Sequence, residues 1–251
     1  MVVLPLVAGV AALVAFGVFA LPGTLLLDDT SSVDASNVAF WLLMVLGATA
    51  ATWITAIGQG AVVAGAAQRM DGGEPTLGSA YAAARARAPQ LLSWAVLATV
   101  VAIVLDQIEQ RLGVLGRVVG WLGGIAFSIM SFLALPVIVF ENVGAIEAFK
   151  RSSALLKRTW GEQIGFNFGL GLLGFLFALP AVILGGALAS TGVLPIQALG
   201  IAVAVVWIAL VAAVVSALSA VFKAALYRYA NGLSVDPAYD AHDLSGAFRH
   251  R

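Results

Sequence analysis

The chain has 251 residues, 61% of them hydrophobic and 10% charged, with 13 basic and 13 acidic side chains and a mean hydropathy of +1.02. Soluble domains average about 45–50% apolar and about 25% charged residues, so water is excluded as the solvent for most of this polypeptide. Zero net charge argues against nucleic acid as a partner, and the lack of cysteine removes disulfides, thiolate metal sites and cysteine catalysis.

Lipid offers no water to satisfy an exposed backbone, so only helices or closed barrels cross it, and a crossing helix needs about 20 mostly apolar residues. Six stretches qualify: 2–22, 38–67, 91–108, 118–140, 164–189 and 196–222. The first has no basic residues ahead of it and exceeds the apolar core of a signal peptide, roughly 7–15 residues. It is therefore expected to be a membrane helix, and from its abrupt start a few further cytoplasmic residues are expected ahead of it. In the second stretch Thr49, Thr52, Thr55 and Gln59 fall on one helix face. They either hydrogen-bond across to neighbouring helices, at ~0.6 kcal/mol each, or line a wet path.

Between the second and third stretches, 75–88 reads as a short amphipathic helix with Leu77 and Tyr81 toward lipid and Arg85 and Arg87 toward phosphate. The fourth stretch opens on Gly116, Gly120 and Gly124, and the fifth on Gly161, Gly165 and Gly169. Four-residue glycine spacing lets helix backbones touch; lying at opposite depths, the two series each need another partner, within the bundle or in a second subunit. Pro136 and Pro180 are expected to kink their helices. Residues 145–160 read as a second amphipathic helix, with Ala145, Phe149, Ser153, Leu156 and Trp160 on one side. Glu147, Lys150, Arg151, Lys157 and Arg158 occupy the rest, and Glu147 is placed to pair with Arg151 four residues on.

Placing both termini inside puts eleven of the thirteen Lys and Arg on the cytoplasmic face, leaving Arg111 and Arg117 outside; basic loops stay cytoplasmic. The expected architecture is an all-α, polytopic six-helix transmembrane bundle in the cell membrane, a single domain over 1–251 with cytoplasmic interfacial helices and a cytoplasmic tail, 231–251. Ala80-Tyr81 before Leu91, Leu92 and Trp94, Ala148-Phe149 before Leu155, Leu156 and Trp160, and the closing Ala247-Phe248 point to a parallel internal repeat.

The run Pro136 to Glu141, then Ser152, Ser153 and Trp160-Gly161-Glu162, then Leu226 to Ala230 and Ala247-Phe248, resembles an uncharacterised family of prokaryotic six-helix integral membrane proteins, a domain of unknown function. More remotely, the proline, acidic, alanine-aromatic and serine pattern is similar to the membrane domain of some glycerophosphodiesterases. The resemblance implies fold and membrane location, and no substrate.

No carboxylate sits in mid-membrane, which argues against ion-coupled transport. His242 and His250 both fall in the tail, and no nucleophile–base pair, phosphate-binding glycine loop or metal-binding helix motif occurs. The expectation is a non-enzymatic protein without cofactors. Its expected partners are membrane lipids, another membrane protein or a second copy of itself, engaged through Arg85, Arg87, Lys150, Arg151, Lys157, Arg158 and Trp160. The alternatives are a transporter or channel for a small or apolar solute, along the Thr49 to Gln59 stripe, and the membrane subunit of a split enzyme.

Overall fold

The computed structural model describes the backbone of residues 2–25, 35–158, 160–191 and 193–233, and the side chains within these ranges except those of 23–25, 35–37, 158 and 160–169. Every regular element among the described residues is a helix. In chain order they are α1 (Val3–Leu25), α2 (Ala35–Met70), α3 (Leu77–Arg85), α4 (Ala88–Met130), α5 (Ala134–Glu141), α6 (Ala145–Arg158), α7 (Trp160–Ala189) and α8 (Leu194–Ala230). Five helical stretches are long and apolar enough to cross a membrane: Val3–Pro22, Val38–Met70, Ala88–Glu141, Leu170–Ala189 and Leu194–Ala230.

Six separate spans were expected, and the third and fourth, 91–108 and 118–140, both fall inside Ala88–Glu141. Gly113 divides that stretch into two limbs. It interrupts α4 with φ 57° and ψ −127°, a conformation that glycine adopts without a side-chain clash. Along a straight helix Trp94 and Phe127 would lie roughly 50 Å apart. Their rings instead stack with centroids 5.9 Å apart, so α4 doubles back on itself. The return limb runs close: a Cβ on Gly116 would fall 2.5 Å from the Ile108 carbonyl oxygen, and one on Gly123 would fall 2.7 Å from Leu105.

The stretch 118–140 is also not one helix. It breaks between Met130 and Ala134, and the expected kink at Pro136 is this break. Proline lacks the amide that would bond back to Phe132, and its ring crowds that carbonyl. Within the break the Leu133 amide donates to Ser152 Oγ at 3.0 Å, so α6 takes up a donor the helix has lost. Pro180 lies within α7, and Trp207 Nε1 donates to the Phe177 carbonyl at 2.8 Å. The carbonyl that loses its helical donor to Pro180 is that of Leu176, and the Trp207 bond falls on the next carbonyl, tying α8 to the same turn.

Burial concentrates at one end of the molecule. One cluster gathers Leu91, Trp94, Leu133, Ile138, Ala148 and Tyr227; the second gathers Val62, Val63, Val139, Ala220 and Ala224. Both draw on α2, α5 and the last turns of α8, and the first adds the start of α4 and α6. Toward the opposite end each hairpin meets mainly itself, with Gly47 against Phe19, Gly123 against Leu105 and Gly185 against Ala204. Leu13, Trp41, Leu115, Trp121, Leu199 and Val206 face outward there. Surface this apolar is a liability in water, whereas lipid tails cover it at no cost.

Candidate functional site

The shared end carries nearly all the described polar contacts between helices. α5 ends on Glu141, where Asn142 caps it in the left-handed region with φ 55° and turns the chain toward α6. Tyr227, on the last turns of α8, donates its hydroxyl to Glu141 Oε1 at 2.6 Å, and its ring stacks on Phe140 with centroids 4.8 Å apart. Arg151 of α6 pairs with the second oxygen of the same carboxylate and also donates Nε to Glu147 Oε1 at 2.8 Å. One carboxylate thereby joins α5, α6 and α8.

Next to Tyr227, Arg228 points the other way. Its guanidinium, 9% exposed, meets Asp71 Oδ1 at 2.6 Å, just beyond α2. Ser93 Oγ accepts from the Ala145 amide at 3.1 Å, and Trp53 Nε1 donates to the Ala88 carbonyl at 2.9 Å. On the exposed flank, Arg151 holds the Glu147 carboxyl below its ordinary value of 4.5, chiefly through the hydrogen bond between them. The two glutamates in turn raise Arg151. Among the described residues no three His, Asp or Glu side chains gather as metal ligands.

The expected cationic residues share this end. Arg85, Lys150, Arg151 and Lys157 are exposed and Arg87 is half-buried, with its Nε directed at the Val139 carbonyl at 3.4 Å. The side chains of Arg158 and Trp160 lie outside the described ones. α3 begins in a capping box, in which Thr76 and Ser79 bond each other's backbone amides at 3.0 and 3.1 Å. It buries Ala80 and Ala84 and leaves Leu77 and Tyr81 each 47% exposed.

α6 departs from its expected face. Ala145, Ala148, Ser152, Leu155 and Leu156 are buried, whereas Phe149 and Ser153 are only half-buried. Docking on the broken helix rotates α6 so that Ser152 reaches Leu133, which leaves its apolar side against protein.

The α2 stripe is also differently placed. Thr49, Thr52 and Thr55 donate to the carbonyls of Val45, Ala48 and Ala51 at 2.7, 2.8 and 2.8 Å. These donors are satisfied inside α2, and none of the three crosses to another helix; Gln59 is half-buried. Gly116 and Gly120 meet the outgoing limb of their own helix, while Gly124 has nothing within 4 Å. Gly161, Gly165 and Gly169 fall on the first turns of α7, outside the described side chains.

Sequence reading missed the joins themselves. Glu141, Ser152, Tyr227 and Arg228 all lie in the runs that carry the family resemblance, the one signal that could have found them. Asp71 carries no such mark.

Helices of this length and apolarity, held together by a polar cluster at one end, define a helical protein built to cross a membrane. A family model described as a family of unknown function, DUF6159, matches residues 37–235, and the chain belongs to that family. No curated protein and no solved structure matches the chain. The likeness to glycerophosphodiesterase membrane domains therefore has no counterpart among these comparisons.

Proposed function

We propose that this is a six-pass protein of the cell membrane with both termini cytoplasmic, and that it works by binding lipid headgroups or a membrane partner rather than by catalysis. The reversal at Gly113 supports two crossings within Ala88–Glu141, which brings the number of passes to six. With that count, eleven of thirteen cations fall on one face, the face that remains cytoplasmic. A parallel repeat has support from α3 and α6, where Ala80 and Ala148 occupy equivalent positions and both are fully buried.

One observation carries the binding reading. At the shared end, exposed Leu77, Tyr81 and Ile146 stand on the same short helices as exposed Arg85, Lys150 and Lys157. Apolar groups beside cations suit the headgroup layer, where the first enter the acyl boundary and the second meet phosphate. Of the α2 stripe, the three threonine donors are paired within the helix, so the transport alternative rests on Gln59.

Replacing Arg85, Lys150 and Lys157 by alanine together should weaken the stabilisation that anionic lipid confers on the detergent-solubilised protein. Unchanged stabilisation refutes the reading. Topology has its own test, because the chain has no cysteine: Ser31→Cys should label with an impermeant thiol reagent in intact cells and Ser79→Cys should not.

A further inference from the structure

Of the three α6 cations with described side chains, the protein itself holds only Arg151. Its Nη1 meets Glu141 Oε2, and its Nε donates to Glu147 Oε1 at 2.8 Å. Lys150 and Lys157 make no ion pair among the described residues. Seven residues apart, they fall on one strip of the helix, exposed and opposite the buried Ala148, Ser152 and Leu155. Glu147 and Arg151 form the adjoining strip, on the flank that meets the end of α5.

Two carboxylates share one guanidinium on that flank, so its three charges sum to −1. The hydrogen bond from Arg151 holds the Glu147 carboxyl below 4.5, with a lesser pull from Lys150. Glu147 therefore stays charged near neutral pH. A phosphate drawn to Lys150 and Lys157 meets this negative neighbour, and the side chain best shaped for it is already engaged. Arginine offers a planar fork that takes two phosphate oxygens at once, whereas lysine offers a point charge. The fork is within reach of a ligand, because the Arg151 side chain is 46% exposed. Its end-on edge includes Nη1, so taking a phosphate there means releasing Glu141. That carboxylate is then left with the Tyr227 hydroxyl alone.

We propose that Glu141 and Glu147 are internal competitors for Arg151, and that a phosphate docking beside Lys150 and Lys157 completes its site only by displacing Glu141. By linkage, whatever weakens the hold of the carboxylates on Arg151 tightens phosphate binding. The proposal rests on the headgroup-binding reading for its ligand and adds that binding is opposed from within. Binding of neither ligand tested below removes both, whereas binding that is indifferent to the two glutamates removes the competition alone.

The test titrates the full-length protein in neutral detergent with phosphatidylglycerol or with glycerol 1-phosphate, reading the rise in unfolding temperature. Glu141→Gln keeps an oxygen for Tyr227 but removes the charge, and should lower the half-effect concentration about fivefold or more. Glu147→Gln should lower it less, and serves if Glu141→Gln does not fold. The gain must pass through Arg151, so Glu141→Gln with Arg151→Gln should bind no tighter than Arg151→Gln alone. Glu74 is exposed at the same end and in no ion pair among the described residues, so Glu74→Gln should change nothing. A gain seen with phosphatidylglycerol alone assigns the phosphate to a lipid, and an equal gain with glycerol 1-phosphate assigns it to a soluble ester. A half-effect that neither glutamate variant lowers, an equal gain from Glu74→Gln, or a gain that persists without Arg151 overturns the proposal.

Discussion

The Tyr227 hydroxyl lies 2.6 Å from Glu141 Oε1, joining α8 to the end of α5. Its neighbour Arg228 makes the matching connection to Asp71 at 2.6 Å, joining α8 to the end of α2. Two consecutive residues of one helix thus tie together the ends of two others, each through a carboxylate. Among the described residues, the far ends of the hairpins have no carboxylate tie of this kind.

Tyr227→Phe keeps the ring stacked on Phe140 and removes only the hydroxyl. A hydrogen bond to a charged group is worth about 1.5–3 kcal/mol. Because Arg151 still holds Glu141, a loss of about 1–2 kcal/mol is expected. Thermal unfolding in detergent measures it, and Glu141→Ala, which removes both partners, should cost more.

Ser152 is fully buried, and its Oγ accepts the Leu133 amide. Ser152→Ala leaves that amide unpaired in the break between α4 and α5. Stranding a buried donor costs about 1–3 kcal/mol, and α6 should loosen first. Faster hydrogen exchange in 145–157 relative to the rest of the chain would register this, whereas uniform exchange would contradict it.

Glycines in the doubled-back α4 should differ sharply in their tolerance of a methyl group. At Gly116 a Cβ meets two backbone oxygens, at 2.5 and 2.8 Å, whereas at Gly124 it meets nothing within 4 Å. Overpacking of this kind costs about 1–3 kcal/mol. Gly116→Ala should lower the monodisperse yield in detergent and Gly124→Ala should match wild type; equal behaviour would mean that the two limbs do not touch.

Acid should weaken the exposed flank of α6. Arg151 depresses Glu147 from 4.5, so the pair's stabilising contribution is complete above the unfolded value. It is lost as pH falls from 4.5 through the lowered folded value. Glu147→Gln should remove this part of the acid sensitivity, read as a smaller change in unfolding temperature between pH 6 and pH 3. The effect will be small, because both side chains are nearly half exposed and solvent screens them.

Much of the fold was legible in composition alone, because twenty-residue apolar stretches are a property of the local chain. The stretches 38–67 and 196–222 fall within α2 and α8, which run on to Met70 and Ala230, and the spacing of Glu147 and Arg151 sufficed to pair them. The break after Met130 was less legible. Pro136 announces a disturbance, but where it falls depends on Ser152, nineteen residues after Leu133.

What the sequence by itself determined is the solvent of this protein and the end at which its charge collects, since both follow from residue type summed along the chain. Tertiary structure decided how α6 turns, which carboxylate each residue of the Tyr227-Arg228 pair reaches, and that Gly116 packs on its own helix. Those outcomes depend on directions and distances between segments far apart in the chain. Hydrophobic attraction is non-directional, so it brings such segments together without specifying which side chain meets which.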